Sequence, residues 1–283
     1  MNRIKRLDKL KEFLLEDIGD YDVSTDLLFP ADQQGVLRIT AKEEGVFCGG
    51  WVITDVCHLL NERIKADVLI PDGADIRKGT CLAEVHGPMV DLLKGERVIL
   101  NCIQRMSGIA TLTKQAVQAL ENPKIRLCDT RKTTPGLRLF EKYAVQTGGG
   151  YNHRFGLYDA VMLKDNHIAF YGSLTNAVRH LKEKVGHMVK IEVETETDEQ
   201  ILEAVDAGVD CIMFDNRRPE DIARMLPSIP NTITTEASGG ISLENLSDYR
   251  HLTVDYLSLG FLTHSVRSLD FSARAALTKE EIH

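Results

Sequence analysis

Residues able to do chemistry concentrate in one stretch of this chain. It opens as Asp129-Thr130-Arg131-Lys132-Thr133-Thr134-Pro135-Gly136, continues through Gly148-Gly149-Gly150-Tyr151-Asn152-His153-Arg154 and closes at Lys164-Asp165-Asn166-His167. From Arg131 to Lys164 there are six Lys or Arg (131, 132, 138, 142, 154 and 164) against two acids, Glu141 and Asp159. The whole 283-residue chain carries a formal charge of -8, so this local positive excess asks for an anionic ligand. Most Lys and Arg are simply solvated surface. Lys132 and Lys164, however, follow short apolar runs, Ile125 to Cys128 and Ala160 to Leu163. A cation just past the carboxyl end of a buried parallel strand stands where α/β sheets bind ligands.

Carboxylates accompany the cations. Lys190-Ile191-Glu192-Val193-Glu194-Thr195-Glu196 puts three glutamates on one face of a regular strand, at least one of them inward. Phe214-Asp215-Asn216 ends a further strand. Acids such as Glu194 and Asp215 beside clustered cations suit a phosphate ester or sugar polyol carrying Mg2+, which is held through one or two carboxylates plus substrate oxygens. The same acids would also serve as ion-pair partners for Lys132 and Lys164. Two Gly-containing loops, Ser238-Gly239-Gly240 and Gly260-Phe261-Leu262-Thr263-His264, follow the last two strands. There, small residues let backbone N–H groups approach a phosphate. No Ser-His-Asp or Cys-His nucleophile emerges, so the chemistry implied is positioning and charge stabilisation.

Strand candidates that must position these groups end near Asp129, Leu163, Glu194, Phe214, Glu236 and Leu259, the later ones 20 to 31 residues apart. Repeated βα units of that length imply a parallel sheet with right-handed crossovers. With a seventh strand near Tyr143 to Thr147, the economical closure is an incomplete α/β barrel. An open doubly wound sheet is the alternative, and it lacks the G-x-G-x-x-G turn a dinucleotide fold would show.

Before the barrel, Met1 to Asp20 has apolar residues at helical spacing and looks like an amphipathic helix, not a signal peptide. Val36 to Ala41 alternates as a half-buried strand. A helix at Trp51 to Leu60, a strand at Ala66 to Ile70, and a turn plus strand at Ile76 to Val85 complete a small α+β unit. A long helix from Glu96 to about Leu120, interrupted at Ser107-Gly108, bridges two domains. Arg97 falls in its first turn, where the helix dipole disfavours a cation and would favour an anion beside it. The expected division is an N-terminal domain over 1–112, joined by the tail 266–283, and a barrel domain over 113–265. No apolar run approaches the ~18 residues of a membrane span, so a cytoplasmic location without membrane partners is expected. The six cysteines include no C-x-x-C pair and are expected to be reduced core thiols. An acidic balance with 6% aromatics argues against nucleic acid.

These motifs, with Glu16-Asp17, Glu96-Arg97-Val98-Ile99-Leu100-Asn101, Ser107-Gly108-Ile109-Ala110-Thr111, Lys142-Tyr143-Ala144, Glu236 to Ile241 and Thr263-His264-Ser265, closely resemble the quinolinate phosphoribosyltransferase family over nearly the full length, in order. The resemblance implies an N-terminal α/β sandwich domain, a seven-stranded incomplete α/β barrel and a homodimer. It also implies a reaction: quinolinate and phosphoribosyl pyrophosphate give nicotinate mononucleotide, pyrophosphate and CO2, with Mg2+, in de novo NAD synthesis. By motif, Arg131, His153, Arg154 and Lys164 would hold the quinolinate carboxylates, with Arg97 reaching the pocket from the neighbouring protomer. Lys132, Glu194 and Asp215 would engage phosphoribosyl pyrophosphate catalytically, the two acids holding the metal. The loops at Ser238, Gly239 and Gly240 and at Gly260, Leu262, Thr263 and His264 would take the 5′-phosphate. Alternatives are a molybdenum-transport-associated paralogue and a phosphate-binding protein without turnover.

Overall fold

Period-two burial along β1 (Gln34–Ala41), with Leu37, Ile39 and Ala41 inside and Arg38 outside, gives an antiparallel sheet one dry face. In the computed structural model, which describes residues 2–277, β1 is a central strand. It pairs with β5 (Cys81–Pro88), which in turn pairs with β3 (Lys65–Val68). On its other edge lies the last strand, β12 (Phe271–Leu277), in register from Gly35↔Leu277 to Ala41↔Phe271. The tail therefore does return to the first sheet; its expected continuation past Leu277 lies outside the described residues. A two-residue ribbon joins β2 (Gly45–Val46) to β4 (Asp75–Ile76). Helices α1 (Arg3–Ile18), α2 (Thr25–Leu28), α3 (Gly50–Leu60), α4 (Met89–Leu120) and α5 (Arg138–Thr147) accompany these strands.

The long helix departs from expectation in two ways. It begins at Met89, so Arg97 lies in its third turn, beyond the reach of the terminal dipole. It also runs through Ser107-Gly108 without a break, because these small residues serve packing. Ser107 Oγ accepts the Cys48 N–H at 2.9 Å, and a Cβ on Gly108 would lie 2.3 Å from the Arg267 carbonyl oxygen. Alanine would raise helix propensity by about 1 kcal/mol, but the backbone carbonyl cannot move aside cheaply. Gly108→Ala is therefore expected to lose about 1 to 3 kcal/mol net, read as a lower midpoint in urea unfolding; an unchanged midpoint would refute the close approach.

A second unit is built on six parallel strands: β6 (Arg126–Cys128), β7 (Val161–Leu163), β8 (Ile191–Thr195), β9 (Cys211–Asp215), β10 (Thr234–Ser238) and β11 (Tyr256–Ser258). Their order is β6-β11-β10-β9-β8-β7. Each is short, and Val193, Ile212, Phe214, Ala237 and Leu257 are buried in them, while β8 (IEVET) and β10 (TTEAS) carry polar residues between their buried apolar ones. Between them run α6 (Asp165–Tyr171), α7 (Leu174–Lys184), α8 (Asp198–Ala207), α9 (Pro219–Met225) and, after β11, α10 (Phe261–His264). Local sequence sets these helices. Thr197 and Gln200 form a capping box at the start of α8, and Gly208 ends it with φ +67.

Tyr143 to Thr147, expected as a seventh strand, belongs instead to helix α5. Phe140, Glu141, Lys142, Ala144 and Val145 are all buried, and the glycines from Gly148 stop the helix. On the edge of β6 away from β11 the one pairing among the described residues is a parallel bridge, Cys128↔Tyr151, so the sheet has six strands. Contacts divide the chain into a first unit running to Lys114, with Thr134–Gly149 and the chain from Ser265, and a second holding Gln115–Thr133 and Gly150–His264. This differs from a simple cut after residue 112 in giving α5 to the first unit. The six cysteines are thiols, and burial pushes Cys57 and Cys102 up to about 12. Among the described residues no helix is long and apolar enough to cross a membrane.

Candidate active site

The carboxyl ends of the six parallel strands open on a cavity of about 750 Å³, within the range of small-molecule sites. Arg131 and Lys132 reach it from the loop after β6, and Lys164 from the end of β7. Glu194 of β8 and Asp215 of β9 form the next part of its wall, followed by Ser238, Gly239 and Gly240 after β10 and by Gly260 and His264 after β11. His153 and Arg154 enter from the segment beside β6. Buried Asp129 fixes that segment, accepting from Asn152 Nδ2 at 2.6 Å and from the His153 N–H at 2.9 Å. Thr263 Oγ1 donates to the Lys132 carbonyl at 2.8 Å, tying the first and last strand loops together.

Three members of the expected set stand elsewhere. Leu262 and Thr263 are buried and outside the lining; in this one-turn helix Phe261 and His264, three residues apart, share the cavity side while the two between them turn away, and Thr263 acts through its hydrogen bond. Arg97 is exposed on α4 in the first unit.

Electrostatically the cavity gathers four fixed cations, Arg131, Lys132, Arg154 and Lys164, against the carboxylates Glu194 and Asp215. Burial first, and then the positive charge of Arg131, lower the Arg154 pKa. Arg154 Nη1 donates to the Ala160 carbonyl at 3.2 Å. Lys164 Nζ pairs with the Glu194 carboxylate, and its own N–H is received by His167 Nδ1 at 3.0 Å. Asp215 accepts from Asn216 Nδ2 at 2.9 Å. Glu194 and Asp215 sit on adjacent strands in one half-buried wall, a donor set suited to Mg2+ completed by substrate oxygens and water.

Gly239 and Gly240 have φ +87 and +65, and a Cβ on Gly239 would meet Asn216 Oδ1 at 2.3 Å. Glycine is thus required for this loop to lie against the β9 loop. Sequence reasoning missed Asn216, Ser242, Met162 and Met213 in the lining. It also missed the acid cluster behind His153. Nε2 of that imidazole lies 3.1 Å from Glu192 and 3.5 Å from Glu236, and Ser258 Oγ donates to Glu236. Burial, and then the Glu192 charge, push the Glu236 acid up to about 7. The signal was available, since Glu192 and Glu236 each stand two residues before a lining residue, Glu194 and Ser238, and so share its face. A second cavity, of about 490 Å³ in the first unit, is lined by Phe13, Met106 and Phe140 around an Arg105–Glu141 pair at 2.6 Å; it lacks a cation cluster.

A parallel βα sheet whose strand ends gather this charge set defines an anion-handling α/β protein. Family comparison is more specific. The model described as quinolinate phosphoribosyl transferase, C-terminal domain, matches residues 109–274, and its N-terminal counterpart matches residues 22–107. The chain belongs to the quinolinate phosphoribosyl transferase family. It is 51% identical over 282 residues to a probable nicotinate-nucleotide pyrophosphorylase [carboxylating] of Bacillus subtilis, covering 100% of this chain and 97% of that protein. The nicotinate-nucleotide pyrophosphorylase [carboxylating] of Rattus norvegicus is 37% identical, with 93% and 88% covered. The crystal structure of NadC from Streptococcus pyogenes superposes with a TM-score of 0.94 at 41% identity, covering 99% of each chain.

Proposed function

We propose that this protein transfers the phosphoribosyl group of phosphoribosyl pyrophosphate to quinolinate with loss of CO2, giving nicotinate mononucleotide and pyrophosphate in de novo NAD synthesis. The observation that carries the reading is the convergence of Arg131, Arg154, Lys132 and Lys164 on one cavity whose other walls hold two carboxylates and a glycine loop. Quinolinate is a dianion, and guanidinium forks pair bidentately with carboxylates. Family membership and near-complete coverage of the carboxylating relatives support the same substrate pair.

In this mechanism Arg131, Arg154 and Lys164 hold the pyridine dicarboxylate with its ring nitrogen towards ribose C1. Lys132 stabilises the departing pyrophosphate, and the Ser238 to Gly240 loop with Gly260 and His264 receives the 5′-phosphate. As the C1–O bond to pyrophosphate breaks, C1 gains oxocarbenium character, which Glu194 and Asp215 stabilise from the ribose side. The ring nitrogen then bonds to C1. The resulting pyridinium accepts the electron pair released from the C2–carboxylate bond as CO2 leaves, and that ring carbon takes a proton. Mg2+ held by Glu194 and Asp215 would neutralise pyrophosphate charge.

The test is to incubate the protein with quinolinate, phosphoribosyl pyrophosphate and Mg2+ and follow CO2 and nicotinate mononucleotide. Turnover with quinolinate and none with nicotinic acid is expected; the reverse preference would overturn the reading. Chelation should abolish product formation and added Mg2+ restore it, whereas full activity in excess chelator would remove the metal from the scheme.

We further propose a homodimer in which Arg97 of one protomer completes the partner's cavity, since Arg97 is exposed on α4 in the family motif Glu96 to Asn101.

A further inference from the structure

The chain leaves β9 through a residue in an uncommon conformation. Asn216 has φ +53, one of two positive values among the described residues other than glycine. Asparagine enters that left-handed region more readily than most side chains, yet it stays there only where its surroundings hold it. Asn216 donates its N–H to the Ser238 carbonyl at 2.8 Å, and its Nδ2 donates to Asp215 at 2.9 Å. The next residue, Arg217, reaches the opposite way, to the loop after β8.

Nη1 of Arg217 donates to the Glu196 carbonyl at 2.8 Å, and Nη2 pairs with Asp198 Oδ1 at 2.5 Å. Asp198 opens α8, and its other oxygen accepts from Arg224 Nη2 at 2.9 Å. The hydrogen bond from Arg217 is the first reason that the Asp198 carboxyl titrates below its ordinary range. One guanidinium therefore ties the loop after β9 to both the main chain and the first helical turn that follow β8.

An exposed ion pair contributes little to stability, and Arg224, 58% exposed, fits that description. Arg217 does not. Its side chain is 12% exposed, one of its two acceptors is a main-chain carbonyl, and a fork held at two points fixes direction as well as charge. The ladder between β8 and β9 ends at Thr195↔Phe214, one residue past Glu194 and one before Asp215. Beyond that pair Arg217 carries the connection.

We propose that Arg217 is a positioning residue for the phosphoribosyl side of the reaction: it straps the loop after β9 to the loop after β8 and so sets where Asp215 stands relative to Glu194. This rests on reading the cavity as a phosphoribosyl pyrophosphate site. Arg217 lies outside the cavity lining, so its effect on substrate passes through the residues it holds. Glu194 is inside the ladder, opposite Met213, and keeps its place without the strap. Asp215 is paired with Ser238 on its other edge, so loss of the strap leaves it anchored from one side only. Quinolinate, held by Arg131, Arg154 and Lys164 on other loops, is spared.

Two measurements test this. Hydrogen exchange in the full-length protein without substrate reads the strap by itself. Arg217→Ala should speed exchange in peptides covering residues 194–198 and 214–218 and leave β6 and β7 as protected as before. Unchanged exchange in both loop peptides would overturn the proposal. No turnover is needed, so this result stands apart from the reaction assay.

The second measurement reads the consequence. Arg217→Ala should raise the KM for phosphoribosyl pyrophosphate and lower kcat/KM for it roughly a hundredfold, the cost of misplacing a group in the site by about 1 Å, with the KM for quinolinate nearly unchanged. A residue that serves stability alone would reduce the active fraction and leave both KM values where they were, and that outcome would sink the link. In calorimetry with Mg2+, Arg217→Ala should weaken phosphoribosyl pyrophosphate binding, and in an Asp215→Ala background it should add nothing. Multiplying effects would mean that Arg217 acts by a route other than Asp215. A wild-type protein that binds phosphoribosyl pyrophosphate yet shows no turnover with quinolinate would instead defeat the underlying functional reading.

Discussion

Arg131→Ala should cost this protein about 2 to 5 kcal/mol in kcat/KM for quinolinate, the penalty for leaving one side of a desolvated charge pair without its partner. That is a fall of roughly 30- to 5,000-fold. The expectation follows from the shared wall: Arg131 and Arg154 both line the cavity, and a bound dianion would offset the charge by which Arg131, after burial, lowers the Arg154 pKa. The KM for quinolinate should rise with the KM for phosphoribosyl pyrophosphate nearly unchanged. Unaltered quinolinate kinetics in the purified variant would remove Arg131 from the site.

Strand ends such as those at Cys128, Leu163 and Phe214 were legible in the sequence because each closes a short apolar run cut off by polar or charged residues. For the same reason Lys132, Lys164 and Asp215 could be placed from the sequence, while Glu194 was legible from the alternation of Glu192, Glu194 and Glu196. What was not legible depends on distant chain segments. Tyr143 to Thr147 has strand-like composition, and only the burial of Phe140, Glu141 and Val145 together reveals a helix. Ser107-Gly108 looks like a break locally, yet Arg267, far along the chain, is what requires a glycine there. Glu192 was visible as one of three glutamates sharing a strand face, and Glu236 only as the end of another strand. Their meeting at His153 depends on β10 and β8 both flanking β9, which strand order alone decides.

Mixing two inactive variants should regenerate activity. Arg97→Ala removes a cation exposed on α4 of the first unit, and Lys164→Ala removes one lining the cavity of the second. If each cavity takes its Arg97 from the partner protomer, a mixed dimer holds one cavity lacking both groups and one cavity lacking neither. Random exchange of equal amounts makes about half the dimers mixed, each with one intact site of two, so activity should reach about a quarter of the wild-type value. Each parent should stay near zero, because Lys164 carries the contact to Glu194 and Arg97 supplies charge that no other residue of α4's exposed face replaces; its neighbour one turn on is the uncharged Asn101. If both residues serve the cavity of their own chain, every site in the mixture lacks one of them and no activity returns. Subunit exchange confirmed by mass, with the mixture still inactive, would therefore refute the shared cavity and leave the charge set of the second unit to act alone.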